Sequence, residues 1–92
     1  AKAPAAKPAS SAFSREEDKR AKAEEKRRAK REAELLALVD SLESEKRSVE
    51  EAMARPENYA DGERMKRLNA DRARLEAEIV GATAAWEELL SS

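Results

Sequence analysis

Seven basic side chains between residues 19 and 31 are the groups in this sequence best suited to binding chemistry. They are Lys19, Arg20, Lys22, Lys26, Arg27, Lys30 and Arg31. In a helix, a rotation of about 100° per residue places all seven on one half of the surface, with only Glu16 among them. Lys and Arg along a rigid rod neutralise several phosphates at once, and Arg adds bidentate contacts. The pattern predicts a surface, here called the basic face, that binds a nucleic-acid backbone without reading its sequence.

The simplest alternative is that these charges only keep a helix face in water. Oppositely charged residues spaced i, i+4 stabilise a solvated helix. Three such pairs are present: Glu16–Arg20, Asp18–Lys22 and Glu24–Arg28. Lys22, Lys26 and Lys30 do not fit this explanation, because like charges at the same spacing destabilise a helix. A polyanionic partner would remove that repulsion, and the sequence leaves both explanations open.

Other candidate binding residues are weaker. A second basic cluster contains Arg55, Arg64, Lys66 and Arg67. Because no aromatic residue is interleaved with the basic face, base stacking is not expected there. Trp86 and Tyr59 are interpreted as structural residues, with Tyr59 folding over the end of a helix pair near Met53.

Composition excludes several kinds of chemistry. The chain has no His and no Cys, which excludes a His-based triad, a thiol nucleophile and the common zinc sites. Its many carboxylates have no apolar pocket to perturb them, and no Walker motif is present. We therefore predict no enzymatic activity, no cofactor and no metal. The sequence also lacks a membrane-length apolar run and a secretory apolar segment, and a cytoplasmic location is expected.

Charge is distributed unevenly along the chain. The net charge of −1 combines +6 over residues 1–31 with −7 over residues 32–92. A polyanionic partner is therefore expected to contact the first third of the chain.

The elements that must position these residues are helices. Charged residues make up 42% of the chain and only two residues are glycine, a composition typical of long helices. Ser14 and Glu17 have capping-box spacing, so a first helix is predicted at about 15–54, after a flexible Pro/Ala/Ser linker at 1–13. Pro56 ends that helix, and residues 55–61 form a turn. Asp61 is the predicted N-cap of a second helix at about 62–90.

Apolar residues follow a heptad rhythm in both helices, which predicts an all-α fold: a two-helix antiparallel coiled-coil hairpin after a disordered N-terminal linker. The first stripe is Leu35, Val39, Leu42, Lys46, Val49 and Met53. The second is Met65, Leu68, Arg72, Leu75, Ile79, Ala82, Trp86 and Leu89. The preferred register places Lys46 opposite Leu75. We then expect the first helix to extend about 16 residues beyond the second, roughly 24 Å.

The turn and the end of the second helix resemble a known family. Matching residues are Met53, Ala54, Pro56, Tyr59, Asp61, Leu68, Leu75, Glu76, Ile79, Trp86, Glu87, Glu88 and Leu89. Over about residues 34–90 the chain resembles the C-terminal domain of ABC-F ATPases of the Uup type, although AEEKRRAKREAEL, which precedes the hairpin, does not match that family's pattern.

This resemblance implies a coiled coil at the end of a parent chain with two ATP-binding cassettes. It also implies binding to DNA or ribosomal RNA and association with the ribosome. A spacer or protein-interaction coiled coil that positions the cassettes is the alternative. A monomer is expected, with weak self-association as the alternative.

Overall fold

A computed structural model describes the backbone of residues 3–91 and the side chains of residues 14–91, and the regular secondary structure in this part of the chain is all α-helical. Helix α1 spans Ala3–Met53, α2 spans Pro56–Tyr59 and α3 spans Gly62–Ser91. The chain divides into two units, Ala1–Arg31 and Glu32–Ser92. The second unit holds α2, α3 and the part of α1 that packs against α3, which confirms the predicted all-α antiparallel hairpin.

The hairpin core lies on the predicted heptad stripes. Every stripe position in both helices is buried or half-buried. The most enclosed residues are Leu42, Leu75 and Ala82, and Val39, Val49 and Ile79 pack against them. Burial is confined mostly to these stripes because a two-helix hairpin offers each helix only one neighbour.

Two basic residues interrupt the apolar stripes, and one carboxylate serves both. Lys46 Nζ lies 3.5 Å from Glu76 Oε1, and Arg72 Nε lies 3.8 Å from the same oxygen. The aliphatic stems pack along the stripe while the charged ends reach out to Glu76. The contact between Lys46 and Glu76 agrees with the predicted register, which places Lys46 opposite the neighbouring Leu75.

The start of α1 differs from the prediction. The backbone is helical from Ala3, so Ser14 lies inside α1 and does not cap it. The upstream residues include several alanines and no glycine, and Pro4 falls in the first turn, where its missing N–H costs no helical hydrogen bond. Pro8 lies in the next turn and removes one backbone hydrogen bond of α1. Side chains before Ser14 lie outside the described residues, and the flexible linker at 1–13 stays a prediction.

The connection between the long helices contains a helical turn that the sequence analysis missed. Arg55 has φ −80° and ψ 132°, the extended conformation that a following proline favours. Pro56 then occupies the first turn of α2, followed by Glu57 near the positive end of the helix dipole. Residues 56–59 therefore form one turn of helix within the predicted turn at 55–61.

Side chains cap both helix ends at this connection. Asn58 Nδ2 donates a 2.8 Å hydrogen bond to the carbonyl oxygen of Ala52, near the end of α1. Asp61 Oδ1 accepts from the backbone N–H groups of Glu63 at 3.0 Å and Arg64 at 3.2 Å. The predicted N-cap at Asp61 is thus confirmed. Asn58 was not identified from the sequence, because its role depends on the rotation that α2 gives it.

Tyr59 does not cover the end of the helix pair near Met53 as predicted. Its side chain is 58% exposed. Asn58 is the neighbour that turns towards α1, and Tyr59 lies about 100° further around the single turn of α2. The predicted packing of Tyr59 over this end of the pair is therefore not confirmed, since most of the residue is exposed.

Gly81 provides a test of the helical propensity of α3. It is exposed in the middle of the helix, and a Cβ built there meets nothing within 4 Å. Replacing Gly81 with Ala should therefore raise the free energy of unfolding by about 0.5–1 kcal/mol. Urea unfolding followed by circular dichroism at 222 nm measures the gain. A lower stability of Gly81→Ala would show that this face of α3 is covered.

Candidate nucleic-acid interface

The basic face lies on α1, in the unit Ala1–Arg31. All seven predicted binding residues are helical and exposed. A continuous helix fixes the spacing of these side chains, so their charges are arranged before any partner arrives. The predicted half-helix of positive charge is therefore present on α1 as a solvent-facing surface.

The cations of this surface are free of close ion pairs in the part of the chain whose side chains are described. Among the described residues, none of the seven forms an ion pair, and the three predicted i, i+4 pairs are not formed. The salt bridges of the structure involve hairpin residues instead. The charges of the basic face are thus directed at water, where they are available to phosphates.

Arg15 is a further residue of the basic face that the sequence pattern did not identify. Arg15 is helical and exposed because α1 begins upstream of Ser14. It projects about 40° from Lys19, between the directions of Lys22 and Lys26. The predicted helix start at Ser14 placed Arg15 at the first helical position. The 100° rotation, applied one turn further back, would have found it.

The second predicted cluster lies at residues 54–67, here called the hairpin tip, where the chain passes from α1 through α2 into α3. Its members differ in their contacts. Arg55, Arg64, Lys66 and Arg67 are all exposed. Arg64 Nε lies 3.6 Å from Asp61 Oδ2, and Arg64 Nη1 donates to Asn58 Oδ1 at 3.5 Å. Arg64 therefore connects the start of α3 to α2, whereas the other three cations form no ion pair among the described side chains.

Trp86 belongs to the packed stripe of α3. It is half-buried at its predicted heptad position, next to the enclosed residue Ala82 one turn earlier. Its Nε1 is shielded from water and has no hydrogen-bond partner in the described part of the chain. A partly enclosed ring on the stripe packs against its neighbour, so Trp86 does not offer a free stacking surface.

Neither a metal site nor a membrane span is found in the described residues. No group of three or more His, Cys, Asp or Glu side chains there is placed to hold a metal ion. No helix in residues 3–91 combines the length and apolarity needed to cross a membrane.

Comparison with known proteins identifies the family of the chain. A family model described as the ABC transporter C-terminal domain matches residues 20–91, which include most of the basic face as well as the hairpin. Searches of curated proteins and of solved structures found no match. Since the family model covers most of the chain, this protein belongs to the ABC transporter C-terminal domain family.

Proposed function

We propose that this chain is the nucleic-acid-binding C-terminal domain of an ABC-F ATPase. The basic face of α1 would lie along the phosphate backbone of DNA or ribosomal RNA. The observation that carries the proposal is that seven exposed, unpaired cations share one half of a helix. The domain itself would not hydrolyse ATP, because no Walker motif is present.

The mechanism is electrostatic. Each cation that approaches a phosphate releases a condensed counterion, and this gain does not depend on the base sequence. The guanidinium groups of Arg20, Arg27 and Arg31 add paired hydrogen bonds to phosphate oxygens. Because the helix already fixes the backbone that carries these groups, the conformational entropy lost on binding is mainly that of their side chains.

In the parent protein, this domain would add a general nucleic-acid contact to the two ATP-binding cassettes. The cassettes would supply the ATP-driven conformational change, and the basic face would keep the assembly on DNA or on the ribosome. The family membership supports an association with cassettes. Such a domain would act in the cytoplasm, where its proposed partners are found.

Salt dependence tests the proposed mechanism. If about four to seven phosphate contacts form, a plot of log K against log salt should have a slope of about −4 to −6. Fluorescence anisotropy with a labelled duplex DNA and a structured RNA, measured between 50 and 300 mM KCl, gives this slope. Two unrelated duplex sequences should bind equally well.

A protein-interaction or spacer coiled coil predicts a different result. Under that alternative, neither nucleic acid would bind at 50 mM KCl, or binding would have a slope near zero. A strong preference for one duplex sequence would also contradict the proposal, because phosphate contacts carry no sequence information.

A further inference from the structure

The hairpin tip has an exposed aromatic ring next to unpaired cations. Tyr59 is 58% exposed, although its neighbour Asn58 is half-buried and holds the end of α1. Tyrosine has a large apolar ring, and leaving it in water forfeits the free energy that burial would provide. More than half of the residue nevertheless stays in contact with water.

The surroundings of this ring are basic. Arg55 lies one helical turn before Tyr59, and its carbonyl oxygen accepts the Tyr59 backbone N–H at 3.0 Å. This hydrogen bond holds the backbone of Arg55, the N-cap residue of α2, within one turn of Tyr59, so both exposed side chains leave the same short segment of the chain. Arg67 lines a cleft with Asn58, Arg64 and Leu68, and Asn58 is the residue that precedes Tyr59 in α2.

The acidic residues of the tip, three between positions 55 and 67, are outnumbered by its four basic residues. Asp61 is occupied by its capping hydrogen bonds and by Arg64. Glu57 and Glu63 lie in the first turns of α2 and α3, where negative charge stabilises a helix. Arg55, Lys66 and Arg67 form no ion pair among the residues that the structure describes.

An exposed ring flanked by cations is the combination that binds unpaired nucleotides. The π-face of any base stacks on an aromatic side chain, while neighbouring Lys and Arg hold the phosphates. A duplex cannot use such a ring, because its bases are already stacked on each other. The basic face of α1 lacks an aromatic residue and is suited to duplex backbones, so the two surfaces differ in the nucleic acid that they accept.

We propose that the hairpin tip is a second site, which binds single-stranded nucleic acid by stacking one base on Tyr59 and holding the adjacent phosphates with Arg55 and Arg67. This inference deepens the proposed function by adding a strand-state preference, and it rests on that function only for its biological setting. The tip site itself requires no contribution from the basic face.

The decisive experiment compares single-stranded and duplex ligands on tip variants. Tyr59→Ala should weaken binding of labelled dT12 about tenfold and leave binding of a 12-base-pair duplex unchanged. Tyr59→Phe should keep most of the affinity for dT12, because it retains the ring. Val80→Ala, a truncation at an exposed apolar residue outside the tip, is the matched control and should change neither ligand.

The single tyrosine also gives a direct readout. Tyr59 is the only Tyr in the chain, so its ring signals are unique in proton NMR. Stacking of dT12 should shift them upfield, whereas a duplex should leave them in place. The titration is repeated on a chain in which Lys26, Arg27, Lys30 and Arg31 are changed to Glu, which removes most of the basic face.

The possible outcomes separate the two proposals. Upfield shifts that persist in the charge-reversed chain support the tip site even if the basic face proves inert. Unmoved Tyr59 signals at saturating dT12, or equal dT12 affinities of wild type and Tyr59→Ala, would overturn the tip site. In that case salt-dependent duplex binding by the wild-type chain would still support the basic face.

Discussion

Reversing four charges on the basic face should abolish duplex binding. Changing Lys26, Arg27, Lys30 and Arg31 to Glu converts the net charge of residues 1–31 from +6 to −2. The substitutions remove more than half of the predicted phosphate contacts and add repulsion. We expect the affinity at 100 mM KCl to fall at least about a hundredfold, since non-specific binding is almost wholly electrostatic.

The four substitutions should not disturb the hairpin. All four side chains are exposed, and none of them forms an ion pair in the described residues. Glutamate is a helix former comparable with Lys and Arg. Circular dichroism should therefore show unchanged helicity, and the loss of binding measured by anisotropy would not reflect unfolding.

A neighbouring pair of residues supplies a matched control. Arg27 and Arg28 are adjacent and both exposed, but Arg27 lies on the basic face and Arg28 projects about 100° further round, towards the acidic half. Arg27→Glu and Arg28→Glu alter net charge equally. Arg27→Glu should weaken binding several-fold more than Arg28→Glu. Equal losses would mean that net charge matters and the face does not.

Removing the side chain of Leu75 should unfold much of the hairpin. Leu75 is 1% exposed and is the most deeply buried large side chain described. A buried Leu→Ala change costs about 2–5 kcal/mol, through lost transfer free energy and the cavity left behind. Among the described side chains, Leu42 and Ala82 are the only other buried ones, so the core is small and the loss is a large fraction of the total stability.

Thermal unfolding followed at 222 nm measures this effect. Leu75→Ala should lower the Tm by more than 10 °C or leave no cooperative transition. Leu36→Ala makes the same chemical change at a side chain that is 44% exposed, and should cost less than about 1 kcal/mol. Similar losses in the two variants would show that the stripe through Leu75 is not the main source of stability.

The two units should respond differently to this change. Binding to the basic face depends on the helicity of residues 14–31, whereas Leu75 lies in the other unit. At a temperature where Leu75→Ala has lost part of its hairpin signal, the tip site should lose affinity for dT12 first. The tip lies in the same unit as Leu75, and its one-turn helix α2 joins the two helices whose packing Leu75 supports.

The sequence by itself determined the long-range features of this protein. Heptad positions identified the buried and half-buried stripe between α1 and α3, because the period of the pattern shows which face of each helix meets the other. The same periodicity placed Lys26 and Arg27 on one basic face. Asp61 was found as a cap because capping is a local interaction between a side chain and the next two or three N–H groups.

Tertiary structure decided what happens where the two helices meet. The one-turn helix α2 determines which of its side chains turns towards α1. Asn58 contacts α1, whereas Tyr59 is exposed. The sharing of Glu76 between Lys46 and Arg72 likewise needs both helices in register. Sequence periodicity describes one helix at a time and gives no contacts between helices. Those contacts, and the exposure of Tyr59 at the tip, therefore depend on the tertiary structure.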